Sequence, residues 1–179
     1  MAIAADPQLR VGLFYGSSTC YTEIAAERIA AALPGHAVEL LNLAHTPLRT
    51  ANDYPLLILG IPTWDYGELQ EDWERVWPQL AEVAWSTKTV ALFGLGDQEG
   101  YPEWFQDALG YLAREVRNRG ARLVGLWPAA GYRFAQSQAL TADGSHFVGL
   151  ALDEVNEFER SEQRIRAWCA QLDREFGAG

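Results

Sequence analysis

The chain has 179 residues, and its 24 Asp and Glu against 14 Lys and Arg give a net charge of −10. That length is enough to bury a core without covalent staples. An acidic surface of this kind is repelled by nucleic-acid phosphates and anionic lipid heads, so both are excluded as expected partners.

Reading in chain order, Met1 to Arg10 has no basic segment followed by an apolar core, so no secretory signal is expected and the cytoplasm is the expected compartment. Apolar runs such as Leu56 to Ile61 are too short to span a bilayer. Short β-rich apolar runs then alternate with longer amphipathic stretches, the pattern of βαβ units around a parallel sheet. Strands are predicted at Arg10–Tyr15, Ala37–Leu41, Leu56–Ile61, Thr89–Leu95 and Leu123–Trp127. The third reads Leu-Leu-Ile-Leu-Gly-Ile, apolar at alternate and intervening positions alike, as a strand covered on both faces requires. Helices are predicted at Thr22–Leu33, Asp72–Glu82, Pro102–Arg119 and Ser161–Phe176. Pro34-Gly35 stops the first, and Gly120 stands where a left-handed cap would end the third. Pro47 to Tyr54 leaves room for only a turn or two of helix. Pro128 to His146 shows no clear period and precedes a second strand-like run, Phe147–Leu152, so it reads as an insertion splitting the last strand. No repeat, linker or charge block marks a second domain, and residues 1–179 read as one.

Three unusual segments fall at the carboxyl ends of predicted strands one, three and four, where open parallel sheets bind ligands. The first, Gly16-Ser17-Ser18-Thr19-Cys20-Tyr21-Thr22-Glu23, offers small hydroxyls and a row of backbone N–H groups at a helix start. Such donors suit an anion such as phosphate. The loop has no Lys or Arg, and the Walker pattern is absent, which argues against nucleotide hydrolysis. An ordinary Ser/Thr cap, with Thr19 or Thr22 starting the helix, is the competing reading.

The second segment is Pro62-Thr63-Trp64-Asp65-Tyr66-Gly67-Glu68. Trp64 stands at the sheet rim where a flat ligand can stack, and Gly67 lets the backbone bend close to it. The third, Gly94-Leu95-Gly96-Asp97-Gln98-Glu99-Gly100-Tyr101, has its last glycine one residue late for a dinucleotide fingerprint and follows the wrong strand. Its interest is Tyr101, a second aromatic opposite Trp64 in the anticipated fold. Two facing aromatics above a phosphate cradle describe a slot for a planar phosphorylated cofactor.

Other chemistries find no support. Cys20 to Arg28 is too widely spaced for a cysteine-phosphatase loop, and strand ends Tyr15-Gly16 and Pro62-Thr63 lack the carboxylates of a phosphoacceptor domain. Cys20 and Cys169 lie far apart and form no pattern with the histidines, so neither a disulfide framework nor a zinc site is expected. His36, His45 and His146 each stand alone, Cys169 fits a buried helix face, and Trp73, Trp77, Trp85, Trp104, Trp127 and Trp168 read as packing. Between Pro62 and Asp107 the acids Asp65, Glu68, Glu71, Asp72, Glu74, Glu82, Asp97, Glu99, Glu103 and Asp107 face only Arg75 and Lys88. Such a face suits a basic protein partner, or simply keeps the chain soluble.

GLFYGSSTCYTE, LILGIPTWDYGELQEDW, LFGLGDQEGYPEWFQDALG and VGLALDE resemble, in order and spacing, segments of the flavodoxin family, specifically its long-chain bacterial members. The resemblance runs from Leu9 to Phe176 and implies a doubly wound α/β fold: a five-stranded parallel sheet in the order 2-1-3-4-5, helices on both faces, and an insertion splitting strand five. It implies a non-covalent FMN and single-electron transfer. Ser17, Thr19 and Thr22 match the family's phosphate-loop hydroxyls, with backbone N–H groups from Ser18 and Tyr21, while Cys20 replaces the usual glycine. Thr63 matches a further phosphate contact, and Trp64 and Tyr101 the aromatics around the isoalloxazine. The Asp65-Tyr66-Gly67 backbone matches the turn beside flavin N5, Gly96 and Asp97 the pyrimidine edge, and Asp153 a position near the ribityl chain. The implied partners are an NADPH-dependent flavodoxin/ferredoxin reductase and acceptor enzymes, met by a monomer through its acidic face. An FMN-dependent quinone reductase of the same fold, and a flavin-free interaction domain, are the competing functions.

Overall fold

The computed structural model describes residues 10–178; the segment read for a secretory signal, apart from Arg10, lies outside the described residues, as does Leu9. β1 (Arg10–Tyr15), β2 (Ala37–Asn42), β3 (Leu56–Trp64) and β5 (Thr89–Leu95) form the continuous part of a parallel sheet in the order β2-β1-β3-β5. β3 is buried along its whole length as far as Pro62. Leu57, Leu59 and Ile61 enter one core with Trp73, Trp85, Leu109 and Leu112, while Leu56 and Ile58 enter the other with Leu13, Ile29, Trp168 and Leu172. Alternate residues of one strand therefore serve opposite faces, which is why its sequence carries no polar alternation.

The fifth strand is split, as the sequence led us to expect. β6 (Arg122–Val124) pairs with Thr89–Ala91 of β5, and β9 (Leu150–Leu152) pairs with Phe93–Leu95. β6 stops at Val124, short of the predicted Trp127, because Gly125 turns the chain at φ 79° and its N–H goes to the Glu175 carboxylate at 2.6 Å. The run Phe147–Leu152 is likewise two pieces: His146–Phe147 (β8) pairs antiparallel with Trp127–Pro128 (β7), and after a bend at Val148–Gly149 the chain continues as β9.

Two helices differ from expectation for reasons that lie in the chain. The predicted Asp72–Glu82 helix is an α-helix only over α2 (Glu71–Val76) and continues as a 3-10 helix over Trp77–Glu82, because Pro78 has no N–H to continue the α ladder. The predicted Pro102–Arg119 helix begins at Asp107 (α3, Asp107–Asn118). Its would-be first turn is diverted: the Pro102 carbonyl accepts the N–H groups of Ala135 and Gln136 from the insertion, and Gln106 takes a left-handed φ of 63°. α1 (Tyr21–Ala31) and α4 (Ser161–Gly177) lie close to their predicted spans, and Gly120 ends α3 at φ 99° as its position implied. Leu48–Asp53 supplies the short 3-10 helix of the second crossover.

The insertion is packed rather than structureless. Phe134 stacks on Phe105 at 5.5 Å, and Tyr132 and Phe134 both meet Phe147, at 5.2 and 5.3 Å. The Tyr132 hydroxyl donates to the Ala151 carbonyl (2.7 Å) and accepts from Trp127 Nε1 (2.8 Å), which fastens the insertion to the split strand. Gln138 donates its N–H to Asp107 at 2.8 Å, directly over Gly110, where a Cβ would stand 2.2 Å from the Gln138 carbonyl oxygen. Gly110→Ala forces that segment off α3, and we expect it to cost about 1–3 kcal/mol, read as a lower urea midpoint. An unchanged midpoint would mean the insertion does not rest on α3.

Candidate functional site

All three unusual loops emerge at one edge of the sheet, from the carboxyl ends of β1, β3 and β5. The first runs from Gly16 into α1. Gly16 is there because nothing larger fits: a Cβ would lie 2.1 Å from Gln70 Oε1 and 2.9 Å from the Trp73 ring. Ser17 Oγ is buried and has no partner among the described residues. Ser18 Oγ accepts a hydrogen bond from Gln70 Nε2 at 3.1 Å. The Ser/Thr cap reading is not realised. The residue before α1 is Cys20, no side chain caps the helix, and the Cys20 carbonyl simply accepts the first helical bond from Ile24.

Cys20 sits at φ 66° and ψ −11°, the left-handed conformation that glycine adopts freely. A side chain there costs about 1–2 kcal/mol, and the loop keeps its shape despite it. The replacement of glycine therefore strains the loop without unmaking it. Its N–H groups stay at the start of α1, next to hydroxyls that do no capping.

The second loop continues β3. β4 (Glu68–Leu69) folds back antiparallel on it, pairing Leu69 with Thr63 and Glu68 with Trp64, which carries β3 beyond the predicted Ile61. The turn is tight: Asp65 has φ 41° and Gly67 φ 88°, and a Cβ on Gly67 would press on Trp104 and the Asp107 carboxyl at 3.2 and 3.1 Å. Thr63 Oγ1 accepts the Ala108 N–H (3.1 Å), so its own proton remains free to donate elsewhere. Trp64 is half-buried with its Nε1 unpartnered among the described residues. The Tyr66 side chain is 65% exposed and stands edge-on to Tyr101 (5.8 Å) and Trp104 (5.1 Å), outside the cleft.

The third loop follows β5. Gly96 donates its N–H to the Leu152 carbonyl (3.0 Å), and Asp97 Oδ1 accepts from Glu99 N, Gly100 N and Asn156 Nδ2 at 3.2, 2.7 and 2.8 Å. The Asp97 carboxylate thus shapes the loop. Asp153 does the same from the far side: it is fully buried, and its carboxylate accepts from Gln98 N (3.1 Å), Gln98 Nε2 (2.9 Å), Val155 N (3.1 Å) and Asn156 N (2.9 Å). Its acceptor sites go to the protein itself, so it staples two loops together. The Tyr101 phenol is raised from its ordinary pKa, first by its hydrogen bond to Asp65 and then by that carboxylate's charge.

Between the loops lies a cleft of about 270 Å³, lined by Thr19, Tyr21, Thr22, Thr63, Trp64, Asp65, Gly96, Asp97 and Tyr101 among the residues singled out from sequence. Pro62, Leu95, Glu154 and Val155 complete it; the last two were not among the site residues read from the sequence, although Glu154 ends the VGLALDE segment. Ser17, Ser18, Cys20, Tyr66 and Gly67 frame the cleft rather than line it. The lining holds no Lys or Arg, and no metal-binding cluster occurs among the described residues. A larger cavity of about 590 Å³ lies between α1 and α4, on the flank of the sheet, and shares no residue with the cleft. Around the cleft Asp65, Glu68, Glu71, Glu74, Glu99 and Glu103 are exposed. Asp72, read from sequence as part of that face, is instead buried and paired with Arg75 at 2.7 Å. An aromatic slot beside uncharged, unsatisfied donors fits a flat group with a phosphate tail, and the buried orphan at Ser17 is the most specific mark of it.

The comparisons with known proteins agree with this geometry. A family model described as Flavodoxin matches residues 13–168. Flavodoxin 2 of Escherichia coli is 52% identical over 164 residues, covering 92% of this chain and 95% of that protein. A flavodoxin of Picosynechococcus is 47% identical over 169 residues, covering 94% and 98%. Among solved structures, Fusobacterium nucleatum flavodoxin bound to flavin mononucleotide superposes with a TM-score of 0.88 at 29% identity, covering 93% of this chain and 98% of that one. The chain belongs to the flavodoxin family.

Proposed function

We propose that residues 1–179 form one domain that holds a single FMN in the cleft and carries electrons one at a time between a reductase and acceptor enzymes. The observation that carries this reading is the buried Ser17 hydroxyl at the foot of α1, without a partner among the described residues, beside a cleft that Trp64 and Tyr101 both line. Bound FMN supplies the one-electron chemistry. The hydroxyls of Ser17, Thr19 and Thr22, the N–H groups of Ser18, Cys20 and Tyr21, and the free proton of Thr63 receive the phosphate. Dipoles and neutral donors do this without a cation, which suits a chain of net charge −10 only because the helix start concentrates several N–H groups on one spot.

Trp64 and Tyr101 enclose the ring system and keep water from its faces. The backbone of Asp65, Tyr66 and Gly67 offers a carbonyl that can accept a hydrogen bond from a ring N–H, and next to Gly96, whose own N–H goes to the Leu152 carbonyl, Asp97 offers its backbone N–H to the pyrimidine edge. Stacked aromatics and nearby acids disfavour added negative charge in the cleft. For a one-electron couple about 59 mV is a tenfold change in the equilibrium constant, so a few kcal/mol of such interaction separates two steps widely.

The exposed acids are the docking face for a basic NADPH-dependent flavodoxin/ferredoxin reductase, met by a monomer in the cytoplasm. No helix among the described residues is long and apolar enough to cross a membrane. Stepwise anaerobic reduction of the purified protein, followed by its visible spectrum, tests the carrier reading. We expect a yellow protein that passes through a distinct long-wavelength stage before bleaching. Bleaching in one two-electron step, or steady NAD(P)H oxidation with a quinone and no reductase, would contradict it. Because Asp72 is committed to Arg75, the docking charges to test are Glu68 and Glu71. Reversing both to Lys is expected to slow reduction by a basic reductase about tenfold at low salt, the difference shrinking as salt rises; an unchanged rate would refute the docking face.

A further inference from the structure

One buried polar side chain beside the cleft has a role that the cofactor contacts leave unassigned. Gln70 is 1% exposed, sits between β4 and α2, and makes hydrogen bonds at both ends of its amide. Oε1 accepts the backbone N–H groups of Asp72 (3.1 Å) and Trp73 (3.3 Å) at the start of α2. With the oxygen so committed, Nε2 must face the other way, where it donates to Asp72 Oδ2 (2.9 Å) and Ser18 Oγ (3.1 Å). Neither neighbour permits a flipped amide, since the Asp72 carboxylate only accepts and the two N–H groups only donate.

We propose that Gln70 is a positioning residue that orients the Ser18 hydroxyl and loop for phosphate, and so sets how strongly the protein prefers FMN to unphosphorylated riboflavin. This rests on the FMN reading above. An NH2 group has no lone pair to offer, so Ser18 Oγ is necessarily the acceptor and its single proton is turned away from Gln70. A hydroxyl that accepts one bond is polarised to donate another more strongly. The position of Gln70 is itself fixed from behind. Arg75 Nη1 holds Asp72 at 2.7 Å while its Nη2 donates to the Leu43 carbonyl at 2.7 Å, and Trp73 Nε1 donates to the Gly60 carbonyl at 2.8 Å. From the front, Gly16 closes on Oε1 with no room for a Cβ. The phosphate loop therefore rests on an amide anchored to β3 and to the end of β2.

The test uses full-length protein stripped of flavin, titrated with FMN and, separately, with riboflavin. Gln70→Met keeps the length and neutrality of the side chain but removes both donated bonds, together with the two that Oε1 accepts at the start of α2. It is expected to weaken FMN about tenfold while riboflavin changes less than twofold, which also reports that the cleft is intact. Ser18→Ala is expected to show the same selective loss, and in its background Gln70→Met is expected to add less than twofold. Equal loss of both flavins in the Gln70 variant, an undiminished effect of that substitution without Ser18, or a Ser18→Ala protein that binds FMN normally would each overturn the proposal alone. A wild-type chain that binds neither flavin would overturn the carrier reading with it.

Discussion

An acidic chain that binds a phosphate without a cation must aim several neutral donors at one point and keep them there. Backbone N–H groups are weak donors singly, and their orientation is fixed only if the peptides carrying them cannot turn. Here that rigidity comes from packing around the end of β1. Gly16 lies flush against Gln70 and Trp73, Trp73 is bonded to β3, and the helix that follows is committed to the α1–α4 side of the core. Even Cys20 is held in a conformation that its side chain disfavours. A loop that tolerates this strain is one whose surroundings over-determine it.

The other two loops are made rigid by the same means at longer range. Asp153, fully buried, collects donors from Gln98, Val155 and Asn156, and Gln98 Oε1 in turn accepts the Arg133 N–H at 2.5 Å. The insertion is thereby tied to the loop that carries Tyr101, besides its aromatic seat on Phe105 and Phe147. Splitting the fifth strand costs sheet pairing only at its middle, where Leu92 of β5 lies between the segments paired with β6 and β9. The sheet, the insertion and the cleft are one connected set of hydrogen bonds.

What could be read from the residues alone follows from where their partners lie. β1, β5 and β3 as far as Ile61 were legible almost to the residue, because burial on both faces writes itself into every position of a strand, whereas β2 is an edge strand with no buried residue and was legible from its short apolar run. The split strand was legible because Pro128–His146 breaks the rhythm and a second apolar run follows it. The start of α3 was not, since it is decided by Ala135 and Gln136 taking the Pro102 carbonyl from far along the chain. Pro78, by contrast, is a local signal in the sequence for the point where α2 gives way to a 3-10 helix. At the site, hydroxyls, aromatics and glycines stood out by type. The burial of Asp72, the stapling role of Asp153 and the anchoring amide of Gln70 did not, for a polar residue's partner is set by tertiary contact and leaves no period in the sequence. Glu154 and Val155 line the cleft only because β9 delivers them there.

Whether the phosphate is held by dipoles rather than by charge is tested most directly by the dependence of FMN affinity on salt. A cradle built on Lys or Arg loses affinity steadily as salt screens it. Neutral donors in a chain of net charge −10 instead gain from screening of the surrounding acids. We expect the dissociation constant for FMN, measured by fluorescence quenching over a range of sodium chloride, to stay level or fall as salt rises. A dissociation constant that climbs steeply with salt would contradict the account and require a cation at the phosphate.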